Sequence, residues 1–191
     1  MQQVADKNGV SIDVITYILR KSKVPRRSFI DANRIAFESK KPSFALRNQN
    51  SDSSKELDLI GAMLYWAEGY KRNTASGIDF ANSDPDMALL FWRFLKHRYK
   101  LDLKRLYFSV YHYDDQHLSA LVKFWKHKLG ISEELFRHSY MKGNSNPNAR
   151  KLPYGVLHIR YMDKKLLRDV LTLIESYKLR FCVGGGVVNR N

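Results

Sequence analysis

The chain alternates between stretches with helical spacing of apolar residues and short runs in which apolar and polar residues alternate strictly, the mark of a mixed α and β protein. Val4, Ala5, Val10, Ile15 and Ile18 follow a helical spacing from the first residues onward. A polar run over 38–56 has no apolar period and reads as a linker. Residues 59–69, Leu-Ile-Gly-Ala-Met-Leu-Tyr-Trp-Ala-Glu-Gly, are an apolar helical stretch that stops abruptly on an acid and a glycine. A short strand over 77–82 follows, and Ser83-Asp84-Pro85 opens a helix striped by Met87, Leu90, Phe91, Phe94 and Leu95. In the run 105–113, Leu106, Phe108 and Val110 take one face, and Arg105, Tyr107, Ser109, Tyr111 and Tyr113 the other. A helix over 116–129, strands over about 134–142 and 154–162, and a closing helix over 163–177 complete an α+β domain with a mixed, largely antiparallel sheet.

Ala5, Gly9 and Ile15 have the relative spacing of a helix-turn-helix: a small residue at the helix crossing, a glycine in the turn and a core residue in the second helix. Ser11 is a natural N-cap for that second helix, 12–22. Its outward positions, including Arg20 and Lys21, and the Arg26-Arg27 pair that follows are candidate DNA contacts. The organisation expected is a helix-turn-helix-like segment over 1–37, a linker over 38–52, a main domain over 53–179 and a flexible tail over 180–191. Three consecutive glycines, Gly184 to Gly186, lie in that tail without the strand and helix of a phosphate loop.

Charge narrows the partner. The 191 residues hold 33 Lys and Arg against 19 Asp and Glu, a formal +14. The excess is uneven: +6 over 1–50, none over 51–100, +3 over 101–150 and +5 over 151–191. Basic segments thus flank a neutral quarter that carries Glu68, which suits a polyanion held around an acidic centre. The same charge suits a ribosome-associated or anionic-membrane protein. A single cysteine, Cys182, excludes an intrachain disulfide and a cysteine-rich zinc site. With no signal peptide and no apolar run approaching 18 residues, the expectation is a cytoplasmic protein associated with nucleoid or organelle DNA, with no membrane contact.

The stretch 59–69 resembles the LAGLIDADG motif of homing endonucleases, and the succession of helix, strands and helix over roughly 53–177 resembles that family's saddle-shaped fold. Met63 stands where the motif often has glycine, and Trp66 replaces the residue common before its Ala-acid-Gly ending. The resemblance implies a sequence-specific double-strand DNA endonuclease with Glu68 as the catalytic acid. Glu68 and the Ala67 carbonyl would hold Mg²⁺, with Mn²⁺ as a substitute. Gly61 and Glu68, seven residues apart, share a helix face, and Gly61, Ala62 and Tyr65 are the expected helix interface with a second subunit. One visible motif implies a homodimer on a long, partly palindromic site, one acid coming from each subunit.

The expected DNA face holds Arg72, Arg105, Tyr107, Ser109, Tyr111, Arg137, Lys142, Arg150, Lys151, His158 and Arg160. Lys71 is a candidate to neutralise the scissile phosphate, the plain alternative being an ion pair of Glu68 with Lys71 or Arg72. Asp84 and Asp114-Asp115 read as helix caps, the histidines have no paired metal spacing, and no nucleotide-cofactor site is evident. A non-catalytic transcription regulator on the same scaffold is the competing class, and an RNA-binding maturase-like role draws on the same charge.

Overall fold

Two glycines decide how the central helix is seated. In the computed structural model, which describes residues 1–25, 28–47, 52–72, 74–143 and 152–183, the chain forms two compact units, Met1–Lys41 and Pro42–Asn191.

The first unit begins with α1 (Gln2–Asn8) and α2 (Ile12–Lys21). Gly9 turns the chain with a left-handed φ of 61°, a conformation in which a side chain is strained. Ser11 caps α2 by accepting the Val14 N–H, and Ala5 and Ile15 are the residues the pair buries. A third helix, α3 (Phe29–Ser39), starts at the Ser28 cap, which accepts the Asp31 N–H. It buries none of its residues, which is why its weak apolar pattern did not announce it.

The second unit contains β1 (Phe44–Leu46), α4 (Asp52–Glu68), β2 (Ile78–Asn82), α5 (Pro85–Arg98), β3 (Tyr99–Leu101), β4 (Leu106–Tyr113), α6 (Leu118–Leu129), β5 (Tyr140–Lys142), β6 (Val156–Tyr161) and α7 (Lys164–Lys178). A π-helical turn, Leu179–Val183, occupies the start of the expected tail. The main sheet has the order β2-β6-β4-β5, antiparallel except for the parallel β4–β5 edge. This is an α+β fold with a mixed sheet.

One face of the sheet is core. Ile78, Phe80, Leu106, Phe108, Val110, Leu157, Ile159 and Tyr161 are buried there beneath α4, α5, α6 and α7. Burial of apolar area supplies the driving force, and ring stacking orders it: Phe80 lies 4.1 Å from Phe91, and Phe91 5.7 Å from Tyr65. Polar side chains tie the helices together at their edges. Arg98 of α5 pairs with Asp58 of α4 and approaches Asp169 of α7 at 3.7 Å, while the Tyr99 hydroxyl donates to Asp169 at 2.7 Å.

Gly61 faces into this core: a Cβ there would lie 2.0 Å from the Phe94 ring. At the other end of α4, a Cβ on Gly69 would strike the Tyr65 ring and carbonyl, and Gly69 bridges Phe80 of β2. Ala62 and Tyr65 are fully buried within the same chain. The expectation that Gly61, Ala62 and Tyr65 meet a second subunit is therefore corrected, since their close contact is with α5 and the sheet.

Two further boundaries differ. The expected linker 38–52 contains the end of α3 and strand β1, which pairs antiparallel with β3. Ser43 is fastened by Asp163, which accepts from both its N–H (2.9 Å) and its hydroxyl (2.6 Å). Three apolar residues, paired with a strand more than 50 positions away, are too few to show alternation. The expected strand 134–142 is a 3₁₀ turn, Glu133–Leu135, followed by β5 alone, because His138 takes a left-handed φ of 52° and interrupts the extended chain.

Gly61→Ala tests the seating of α4. Alanine favours a free helix by about 1 kcal/mol, but overpacking against Phe94 outweighs this, and a net loss of about 1–3 kcal/mol in urea unfolding is expected; an unchanged or raised midpoint would contradict the packing described.

Candidate nucleic-acid interface

The second face of the sheet is polar, aromatic and open. Alternation places Asp79 and Ala81 of β2, Val156, His158 and Arg160 of β6, Tyr107, Ser109, Tyr111 and Tyr113 of β4, and Tyr140 and Lys142 of β5 on it. Pairing across the strands sets Asp79 opposite Arg160 and Arg160 opposite Tyr107, and sets Tyr111 opposite both Val156 and Tyr140. The residues expected on the DNA face from β4, β5 and β6 are thus brought together.

Arg160 is the hub. Its Nε donates to Asp79 Oδ2 at 2.9 Å, Nη2 to the Tyr111 hydroxyl at 3.1 Å, and Nη1 to Ser109 Oγ at 3.4 Å. His158 Nδ1 lies 2.8 Å from the other Asp79 oxygen and 3.1 Å from Arg160 Nη2. The Asp79 carboxylate only accepts, so its contact is a hydrogen bond when Nδ1 carries the proton, whereas Arg160 Nη2 only donates. Burial pushes the Asp79 carboxyl up, but its hydrogen bonds to His158 and Arg160 and their charges prevail, so it is held below the ordinary carboxylate range. Burial likewise opposes the charge on Arg160, and Tyr111 and Asp79 more than restore it. Asp79 was not singled out in the sequence; the available signal was an acid on the outward side of a strand within a basic protein.

Glu68 ends α4 at the rim of this face. It is exposed, and among the described residues its carboxylate makes no ion pair. It lines a shallow depression of about 250 Å³ with Gly69, Tyr70, Asp79, Ala81 and His158. The Tyr70 N–H bonds to the Asp79 carbonyl and the Tyr65 hydroxyl to the Tyr70 carbonyl, which fixes the turn after the motif to β2. A larger hollow of about 770 Å³ runs along α6, lined by Phe124, Ile131 and several lysines. It is lined by no acid, whereas the smaller depression is lined by Glu68 and Asp79.

Lys71 is placed differently from expectation. Its ammonium donates to the Trp66 carbonyl at 2.6 Å and the Gly69 carbonyl at 2.9 Å, where a cation meets the negative end of the helix dipole. It thus caps α4 and is not paired with Glu68. Arg72 lies 5.9 Å from the Tyr70 ring. Ala67 is exposed beside Glu68. Arg105 sits in the 3₁₀ turn before β4, not on the strand, and donates to the Met162 carbonyl at 2.9 Å. Ser109 is buried and donates to the Arg137 carbonyl at 2.7 Å, so it cannot contact DNA. Arg137 and Lys142 are exposed at the β5 edge, and Arg20 and Lys21 are exposed on α2 of the first unit. Arg26, Arg27, Arg150 and Lys151 lie outside the described residues. Asp84 caps α5, as read, by accepting the N–H groups of Asp86 and Met87.

Among the described residues no group of three or more His, Cys, Asp or Glu side chains could hold a metal ion. The oxygens of Glu68 and the Ala67 carbonyl are the hard donors that suit Mg²⁺, but the other carboxylate that lines the depression, Asp79, has both oxygens engaged by Arg160 and His158. Among the described residues no helix is long and apolar enough to cross a membrane. No protein family, curated protein or solved structure matches the chain in comparison, so the reading of the site rests on its geometry.

Asp79→Asn tests the hub. The carboxylate's lowered pKa makes its stabilising contribution complete above the ordinary carboxylate range and lost as the pH falls toward the lowered value. The variant is expected to be about 1–3 kcal/mol less stable at neutral pH, the gap closing in acid; parallel wild-type and variant stability curves down to low pH would contradict this.

Proposed function

We propose that the protein is a LAGLIDADG-type DNA endonuclease that acts as a homodimer on a long, partly symmetric duplex site. The observation that carries this reading is Glu68, a carboxylate without an ion-pair partner among the described residues, delivered by a core helix to the rim of a polar sheet face. The formal charge of +14 favours DNA as the partner, and the sheet β2-β6-β4-β5 serves as the saddle.

The interface proposed in place of Gly61, Ala62 and Tyr65 is the outward side of α4. Ile60 is 40% exposed, Met63 and Leu64 are half-buried, and Ala67 is exposed; at helical spacing these form one apolar stripe that leads to Glu68. A second copy laid on the stripe covers it and sets two acids side by side. Like charges at that distance repel unless a cation lies between them, which closes the donor set that a single chain leaves short. Mg²⁺, with Mn²⁺ as a substitute, supplies charge neutralisation and a more acidic bound water when present. The chain's own parts in the reaction are to hold the cation through Glu68 and the Ala67 carbonyl, to wall the depression with Tyr70 and His158, and to keep the helix end rigid through Lys71. The helical pair α1–α2 extends the contact to DNA.

The second reading, a non-catalytic regulator on the same scaffold, is favoured by one observation. The Lys71 ammonium already compensates the carbonyl end of α4, a place where a divalent cation would otherwise be attracted.

Cleavage of a randomised duplex library with Mg²⁺ or EDTA separates the two. Specific Mg²⁺-dependent cuts that vanish in Glu68→Gln, with binding retained, are expected; specific binding without cuts by the wild type moves the protein to the regulator class. Ile60→Glu is expected to convert a dimer to a monomer in sedimentation, and a dimer that survives this change would exclude the α4 interface.

A further inference from the structure

The charged groups in the middle of the polar sheet face are turned on one another, and this bears on what kind of nucleic acid it fits. Duplex DNA shows base edges in its grooves and hides the base faces in the stack, so reading a duplex requires free donors and acceptors. Here Arg160 is committed to Asp79, Tyr111 and Ser109. Both Asp79 oxygens are occupied by Arg160 and His158, and Ser109 is turned onto the Arg137 carbonyl.

What the face does present is rings. Tyr140 is 59% exposed and sits 5.5 Å from Tyr111, its partner across the β4–β5 pair. Tyr111 is backed by His158 at 4.2 Å and by the Arg160 guanidinium at 5.6 Å, so it stands on a fixed support. His138, exposed and held in its left-handed conformation, meets Tyr107 edge to face at 5.8 Å. The exposed cations Arg137 and Lys142 border this group on its own edge. Aromatic rings on a sheet, rimmed by positive charge, suit bases that have left the stack, because every base offers a π face and the phosphates follow the cations.

We propose that the outer face of β4 and β5 binds unpaired nucleobases, stacking them on Tyr140 with His138 and Tyr111 alongside, while Arg137 and Lys142 take the phosphates. The inference rests on the nucleic-acid reading of the same face and specifies the state of the DNA held there: strands opened at the duplex site, for which single-stranded DNA is the probe. RNA shares the stacking chemistry and is told apart by the test.

The experiment is fluorescence anisotropy of the full chain, at one fixed salt concentration, with labelled strands of about 12 nucleotides. The probes are single-stranded DNA, the same sequence as a duplex, as RNA, and as a base-free deoxyribose-phosphate strand. Tighter binding to single-stranded DNA than to the duplex and the base-free strand is expected. Tyr140→Ala should weaken single-strand binding by roughly 5- to 100-fold with no change in salt dependence, and Tyr140→Phe should restore it. Tyr140 is exposed, and an unchanged circular dichroism spectrum and melting point of the Ala variant separate lost stacking from lost folding. Equal binding of base-containing and base-free strands, a preference for duplex, tighter binding of RNA, or an inert Tyr140→Ala each overturns the proposal. Duplex cleavage without a single-strand preference leaves the endonuclease reading standing and removes the stacking one. A single-strand preference without cleavage does the reverse, and absence of binding to every probe removes the stacking reading.

Discussion

The contact on which the second unit depends is the approach of α4 to α5 at Gly61. A Cβ at that position would lie within 2.0 Å of Phe94, so only the absence of a side chain lets the two helices close over the sheet. That closeness puts Tyr65 against Phe91 and Phe91 against Phe80, and it fixes the level at which α4 ends. Gly69 repeats the device at the helix end, where it touches β2 at Phe80. Glu68, between these constraints, emerges at the rim of the polar sheet face.

That face is rigid for a different reason. Asp79, Arg160, His158 and Tyr111 form one hydrogen-bonded set across three strands. Hydrogen bonds between charged groups in a partly buried setting hold geometry at the cost of desolvation. The same bonds engage the Arg160 guanidinium within the sheet. Exposed positive charge stands at the rim, on Arg137 and Lys142, and the open surface is left to tyrosine and histidine rings.

Legibility in the sequence followed the length and locality of each pattern. Strand β4 alternates over eight residues, and helix α5 carries a proline start and an aromatic stripe; both elements stand close to where the spacing put them. Ser11 and Gly9 mark α1–α2 through local cap and turn chemistry. Strand β1 was hidden because its partner is distant and its neighbours are polar, and β5 because His138 breaks the run before it. At the site, the acid–glycine ending marked Glu68 as the last residue of α4. The side on which α4 is buried was not legible, since a helix that is apolar nearly all round does not declare which stripe meets the core. Gly61 was thus read as facing a second chain when it faces Phe94. Asp79 was missed because its role exists only through pairing with β6, and Lys71 because capping by a residue just past a helix end depends on the turn geometry.

Glu68, we propose, is the group that meets a cation at the polar sheet face. Paramagnetic broadening by Mn²⁺ of the amide resonances of the isotope-labelled full chain, in the presence of a DNA strand, tests this most directly. The account predicts broadening centred on Ala67 to Tyr70 and on Asp79 of β2, absent in Glu68→Gln. Broadening centred elsewhere, or unchanged by that substitution, would contradict it.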